Sequence, residues 1–414
     1  MRKKLLFCII ATLLISLTAC GNNRIPNSSA TPAILSTSIA QENLLAKSCQ
    51  AFGVSAFPSN NGRGLYLPSD NTMRYYDFEL GESVILCAQS GCAHADESCT
   101  AYLGNPAVFA EYHNIWYTIA ETDDGSLLLN RIDPTNGQRR TVTTLNRTES
   151  QMFSHGVTHF SHGYAYVSAN SQQLDANGIW QDGGRKLYQI HLESGEYNVI
   201  AENKPTETYR FWGASQERLL LSWDMLLGEP LDNETFLAQG GTEREYADYI
   251  FTYYAENTVT ELRVYDLPTG EYTLLADSKR DGLEVSPDPA LCYENQLIYQ
   301  LNDSLYLYGL DEGTSRKLLS QKNIINYWLL DARAFYITYT HEDGYEIYHA
   351  DMKTGISIQL SNQGSTESML FSITGETIDN FIGVYTTLSS NGRICWISKV
   401  DFYANNYSNA QLAQ

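Results

Sequence analysis

The segment Lys186-Leu-Tyr-Gln-Ile-His-Leu-Glu-Ser-Gly-Glu-Tyr-Asn-Val-Ile-Ala201 reads as a β-hairpin. Apolar and polar residues alternate on both sides of His191-Leu-Glu-Ser-Gly195, the period of half-buried strands. A glycine at the fifth turn position takes a positive φ at little steric cost, and a side-chain acceptor at the first can hold the turn's amides. The frame recurs at Asp77-Phe-Glu-Leu-Gly81, Asp133-Pro-Thr-Asn-Gly137, Asp266-Leu-Pro-Thr-Gly270 and Asp351-Met-Lys-Thr-Gly355. Gly309 to Gly313 keeps the spacing without the Asp, and His191 occupies the Asp slot and is expected to do its bonding. Asp401-Phe-Tyr-Ala-Asn405 reads as a decayed last copy, with Asn in the Gly position. Successive turn glycines lie 56, 58, 75, 43 and 42 residues apart.

Upstream of the first hairpin, Val157–Phe160 and Tyr164–Ser168 make a second strand pair, so one unit holds four short strands. Leu297–Tyr299, Leu305–Leu310 and Lys317–Leu319 draw the same unit less cleanly. Helical periodicity is confined to residues 40–50 and 235–255. Four-stranded units repeated over residues 60–405 resemble a β-propeller. The turns resemble the Asp-x-x-Thr-Gly turns of TolB-like and YncE-like bacterial propellers. The expected fold is all-β: a propeller of four-stranded antiparallel blades, seven if Asp401 marks a true copy and six if it does not. Two unrelated sandwiches or a solenoid are the rivals, and sandwiches have no reason to keep one turn frame. Residues 48–60 are expected to add a strand to the last blade and close the ring.

The 414 residues carry 48 Asp+Glu against 27 Lys+Arg, a net charge of −21. That balance excludes a nucleic-acid binder, which needs a basic surface for phosphates, and broad electrostatic docking on anionic lipid. Arg2, Lys3 and Lys4 precede an apolar run from Leu5 to Ile15, long enough for a signal segment and too short to span a bilayer. It ends in Leu17-Thr18-Ala19-Cys20, which resembles the lipobox of bacterial lipoproteins. The resemblance implies cleavage before Cys20, lipidation of its sulfur, and a location on the extracytoplasmic face of the cell membrane. The expected organisation is a signal peptide over 1–19, a lipidated Cys and flexible tether over 20–45, and a single propeller domain over 46–414. Without residues 1–19 the chain keeps 24 Lys+Arg and 48 Asp+Glu, or −24.

Insertions at residues 87–106, 169–185 and 224–248 interrupt the repeat and are expected on the face opposite the regular turns, where long loops on a rigid frame carry binding. The first holds Cys87-Ala-Gln-Ser-Gly-Cys92-Ala-His94-Ala-Asp-Glu-Ser-Cys99. Three sulfurs and one imidazole suit a structural zinc site. In an exported protein the same cysteines, with Cys49 nearby, equally suit disulfides such as Cys87–Cys99 or Cys92–Cys99. The spacing is similar to a Cys-x₄-Cys-x-His-x₄-Cys segment of lipid-anchored propeller-like proteins of Gram-positive anaerobes. Cys292 and Cys395 read as buried small residues. His155, His159 and His162 cluster in sequence and read as packing or turn residues before a metal or proton-transfer site. Trp180, Tyr209 and Trp212 are candidate ligand-stacking residues, with blade packing the alternative. No nucleophile elbow, phosphate loop or zinc-protease helix motif occurs, and no catalytic residue is assigned. The expected function is a binding or scaffold module for a protein or glycan. An envelope assembly factor and a polysaccharide lyase or hydrolase are the alternatives.

Overall fold

A computed structural model describes residues 57–58, 63–69, 71–87, 89–104, 106, 108–146, 151–174, 180–204, 206–215, 217–281, 296–340, 344–360, 370–387 and 390–412. Cys8, Cys20, Cys49, Cys292 and the signal and tether segments lie outside them. The strands form seven antiparallel sheets, the blades of a seven-bladed β-propeller. Blade 1 runs from Phe57 to Ile85, blade 2 from Val108 to Leu145, blade 3 from Gln151 to Glu202 and blade 4 from Glu207 to Asp277. Blade 5 runs from Gln296 to Ser320, blade 6 from Ile324 to Gln359 and blade 7 from Leu370 to Leu412. Each blade pairs its strands A to D in chain order. Blade 5 shows three strands among the described residues.

Five of the six regular turns are C–D hairpins, the sixth joins the second and third described strands of blade 5, and each repeats one local bond. The glycine amide donates to the carbonyl four residues earlier: Gly81 to Asp77 at 2.9 Å, Gly195 to His191 and Gly355 to Asp351 at 2.8 Å. The six glycines have φ between 63° and 75°. Asp266 Oδ1 accepts from the Thr269 amide at 3.1 Å and hydroxyl at 2.9 Å. His191 Nδ1 accepts from the Ser194 amide at 3.1 Å, as expected of a residue in the Asp slot. The seventh copy also sits in a C–D connection, but as helix. Asn405 has φ 60°, and the Asn406 amide, one residue later than in the other copies, reaches the Asp401 carbonyl.

Antiparallel alternation puts A–B and C–D turns on one face and B–C connections on the other. Apolar side chains fill the seven interfaces between neighbouring blades, so the core is a ring of seven clusters. Of the residues expected to close the ring, only Phe57–Pro58 are described, and they pair with Gly64–Ser69 inside blade 1 rather than with blade 7. Among the described residues, every strand of blade 7 comes from 370–412. The described parts of the first and last blades meet by side-chain packing: Leu65 and Tyr76 against Ile382 and Trp396, with the Phe78 ring 4.7 Å from that of Trp396.

A polar tie reinforces the neighbouring interface. Lys399 Nζ lies 2.9 Å from Asp331 Oδ1 in the A–B turn of blade 6 and 2.8 Å from Glu376 Oε2 in blade 7. The Tyr403 hydroxyl donates to Asp331 Oδ2 at 2.8 Å.

Two helices interrupt the B–C connection of blade 4: α1 (Asn233–Ala238) and α2 (Glu243–Asn257). They account for the helical period around residues 235–255. Short helices α3 (Ser278–Asp281) and α4 (Lys399–Tyr403) follow. No helix among the described residues is long and apolar enough to cross a membrane.

Candidate metal centre and the insertion face

Strand D of blade 1 is built from two separated pieces. Glu82–Ile85 pairs with Thr72–Asp77, and the Leu86 amide extends the ladder to the Met73 carbonyl at 3.0 Å. The chain then leaves the sheet and returns: the Met73 amide donates to the Ala101 carbonyl at 2.7 Å, and Leu103 donates to Asn71. Thr72 and Tyr102 form an isolated bridge. Residues 87–100 are thus an excursion from the outermost strand. The Cys/His segment thus interrupts strand D of blade 1 itself, whereas the expectation had it follow the blade. In chain order the insertions at 169–185 and 224–248 fall around the junctions of strands B and C in adjacent blades 3 and 4, at the strand ends opposite the regular turns; residues 175–179 lie outside the described ones.

The excursion folds its four candidate ligands together. Sγ of Cys87, Cys92 and Cys99 and a ring nitrogen of His94 all lie within 4.8 Å of one another. Gly91 and His94 take left-handed backbone, φ 73° and 56°, which reverses the chain on either side of Cys92. Asp96 Oδ1 accepts from the Ser98 amide at 2.9 Å and hydroxyl at 2.6 Å, fixing the turn that presents Cys99. His94 Nδ1 sits 3.2 Å from Cys99 Sγ. A tetrahedral zinc with ligands at about 2.0–2.3 Å separates its donors by roughly 3.5 Å. The set needs only a small contraction to reach that spacing. Cys87, Cys92, Cys99 and Cys395 are unpaired thiols.

The two ends of the motif differ electrostatically. Burial, helped by the neighbouring Cys87, pushes the Cys99 thiol up to about 12. Burial also works upward on Cys87, but bonds from the Gln89 amide, Cys99, Thr100 and Cys92 outweigh it and lower its pKa. A cation bound among the sulfurs would displace their protons and hold them as thiolates.

The excursion is clamped to blade 2. The Arg139 guanidinium donates to the carbonyls of Cys99 at 2.8 Å, Thr100 at 3.1 Å and Tyr102. A Cβ on Gly137 would meet Thr100 Cγ2 at 2.3 Å, so the C–D turn of blade 2 approaches the excursion through a glycine.

The other sequence candidates scatter. Tyr209 is 1 % exposed, packed between blades 3 and 4, and belongs to the core; the ligand-stacking expectation for it gives way to the packing alternative. Trp212 is half-buried, and its indole N–H donates to Ser222 Oγ at 2.9 Å. The side chains of Trp180 and His155 lie outside the described ones. His159 is buried against Phe211, and burial lowers its pKa to about 4. His162 sits exposed in the A–B turn of blade 3 beside Ser161, so these two imidazoles serve packing and turn. Cys395 is fully buried, as expected, and burial pushes it up to about 12. Among the described residues, no other group of three or more His, Cys, Asp or Glu side chains converges.

No protein-family model and no curated protein matches the sequence. Among solved structures, the chain is similar to an acylaminoacyl peptidase in complex with a chloromethyl ketone, at TM-score 0.50 and 9 % identity, over 90 % of this chain and 53 % of that one. An oligogalacturonate lyase in complex with manganese aligns at TM-score 0.41 and 12 % identity, over 71 % of this chain and 82 % of that one. TolB from Acinetobacter baumannii aligns at TM-score 0.34 and 13 % identity, over 81 % and 76 %. The chain spans about half the length of the peptidase. At these identities the likeness is one of fold, the β-propeller.

Proposed function

We propose that this chain is a lipid-anchored, extracytoplasmic propeller that acts as a binding or scaffold module for a protein or glycan, with a structural zinc in its rim excursion. The carrying observation is that adjacent blades 3 and 4 project their longest strands and the α1–α2 pair from one face, while the opposite face carries short, uniform turns. Anchoring at Cys20 rests on the lipobox-like Leu17-Thr18-Ala19-Cys20. No constellation among the described residues favours the lyase or hydrolase alternative.

Photo-crosslinking in the native membrane tests the module. A benzoylphenylalanine at Gln172 or Thr252 should yield discrete adducts, and one at Thr135 in a C–D turn should not. Equal labelling from both faces would refute the assignment. Cys20→Ala should move the chain from membrane to soluble fraction; retention would refute the anchor.

The zinc reading rests on the donor set. Three sulfurs and an imidazole form a closed four-ligand site, whose role is to fix the loop. Metal analysis of the purified chain should find about one zinc per chain, with cluster thiols reacting only after chelation. Zinc-free protein with oxidised cluster cysteines would replace this reading with a disulfide.

A further inference from the structure

We infer that α2 is the docking element for a cationic, apolar segment of a protein partner; this rests on the binding-module reading and names its partner's chemistry. Helix α2 has two apolar sides. Tyr246, Tyr249 and Tyr253 are half-buried and face α1 and the chain around Leu227–Leu231, and Ile250 is half-buried as well. The Phe236 ring stacks on Tyr249 at 5.1 Å and meets Tyr246 at 5.4 Å. The Tyr249 hydroxyl accepts from the Leu231 amide at 2.9 Å. This side satisfies the helix pair internally.

The second side repeats at helical spacing: Ala247, Phe251, Tyr254 and Ala255, all exposed, with Phe251 62 % and Tyr254 46 % exposed. A solvated helix has no use for a second apolar stripe. Neither helix contains a buried residue. Their termini are fixed by their own caps, Asp232 on α1 and the Thr242–Glu245 capping box on α2. The stripe is therefore presented on a preformed helix, which lowers the ordering cost of association.

Charge selects the occupant. In the connection 227–257, Glu229, Asp232, Glu234, Glu243, Glu245, Asp248 and Glu256 stand against the single cation Arg244. Among the described residues none of these seven carboxylates is in an ion pair. An anionic surface would be repelled, and a neutral glycan would leave the charge unused. A segment bearing Lys or Arg around apolar residues matches both the aromatic anchors and the field.

The test uses the purified full chain and a fluorescein-labelled amphipathic Leu/Lys helical peptide, read by anisotropy at about physiological salt. The peptide should bind saturably, and a Leu/Glu peptide of the same pattern should not. Phe251→Ser with Tyr254→Ser should weaken binding about ten-fold, the scale of aromatic hot spots. Leu80→Ser with Val400→Ser, which removes exposed apolar side chains from the opposite face, should change it less than about two-fold. Circular dichroism confirms that the helices persist. Unchanged binding of the Phe251/Tyr254 variant would overturn the inference as charge alone, and so would displacement of the peptide by neutral maltoheptaose. Crosslinks at Thr252 without Leu/Lys binding would overturn this partner chemistry while leaving the module; absence of crosslinks would overturn the module itself.

Discussion

Replacing Lys399 by Met keeps the stem and removes the charge that ties blade 6 to blade 7. The Lys399 side chain is 12 % exposed, and its ammonium lies within 3 Å of two carboxylates, those of Glu376 and Asp331, whose side chains are 9 % and 31 % exposed. Burial alone would lower the Lys399 pKa, but the bonds to Glu376 and Asp331 overcome it and the net shift is upward. Without the cation, two carboxylates face each other across the interface, partly desolvated, with the Asp331 amide donating to Glu376 at 3.0 Å. Truncating one partner of a buried ion pair costs about 3–5 kcal/mol. The one-third exposure of Asp331 argues for the lower end, about 3 kcal/mol. At roughly 2 °C per kcal/mol for a large domain, the melting temperature should fall by about 6 °C in a calorimetric scan. Glu376→Gln in the Lys399→Met background should recover about 1 kcal/mol or more, because it removes the unpaired charge. A Lys399→Met loss under about 1 kcal/mol, or no recovery in the double variant, would refute the claim that this ion network secures the blade 6–blade 7 interface.

The turn glycines give a graded series. Gly270→Ala meets nothing closer than 3.7 Å and should cost only the left-handed backbone term, about 1 kcal/mol. Gly355→Ala would place a Cβ 2.3 Å from the Leu318 carbonyl oxygen of blade 5 and should cost at least about 1 kcal/mol more in urea unfolding; equal losses would contradict the interface packing. His159 and His349 both titrate near 4 when folded, the first through burial and the second through burial and the Arg333 charge. Their folded values lie below the unfolded value of about 6.5, so the unfolded chain binds more protons and stability falls as pH drops from about 6.5 towards 4. Between pH 7 and pH 5 each should contribute a loss of about 2 kcal/mol. His159→Phe should flatten that slope by one histidine's share in urea midpoints, and an unchanged slope would count against it. Cys92→Ser should lower zinc affinity by at least about ten-fold in chelator competition while far-UV dichroism stays that of the ring.

Much of this protein is local and so was legible in the chain. Each C–D turn closes through bonds spanning two to four residues and one left-handed glycine, so the chain spells every copy in five letters. The same locality made Cys87, Cys92, His94 and Cys99 readable as a group, since 13 residues hold all four donors. The decayed copy at Asp401 was legible only as a position, because its helix depends on Ser398 as well.

What only the tertiary structure decided involves residues that meet across blades. The Cys/His segment leaves the middle of an outer strand, and its clamp, Arg139, lies some forty residues on in the next blade. Asp331, Glu376 and Lys399 share no spacing that marks them as a network. Tyr209 shares the parity of Phe211, but its burial is completed only by the neighbouring blade. Ring closure depends on the tertiary structure in the same way. Alternation predicts strands, but it carries no information on whether the ends of a ring join by backbone pairing or by apolar side chains alone. That choice depends on how seven twisted sheets pack around an axis.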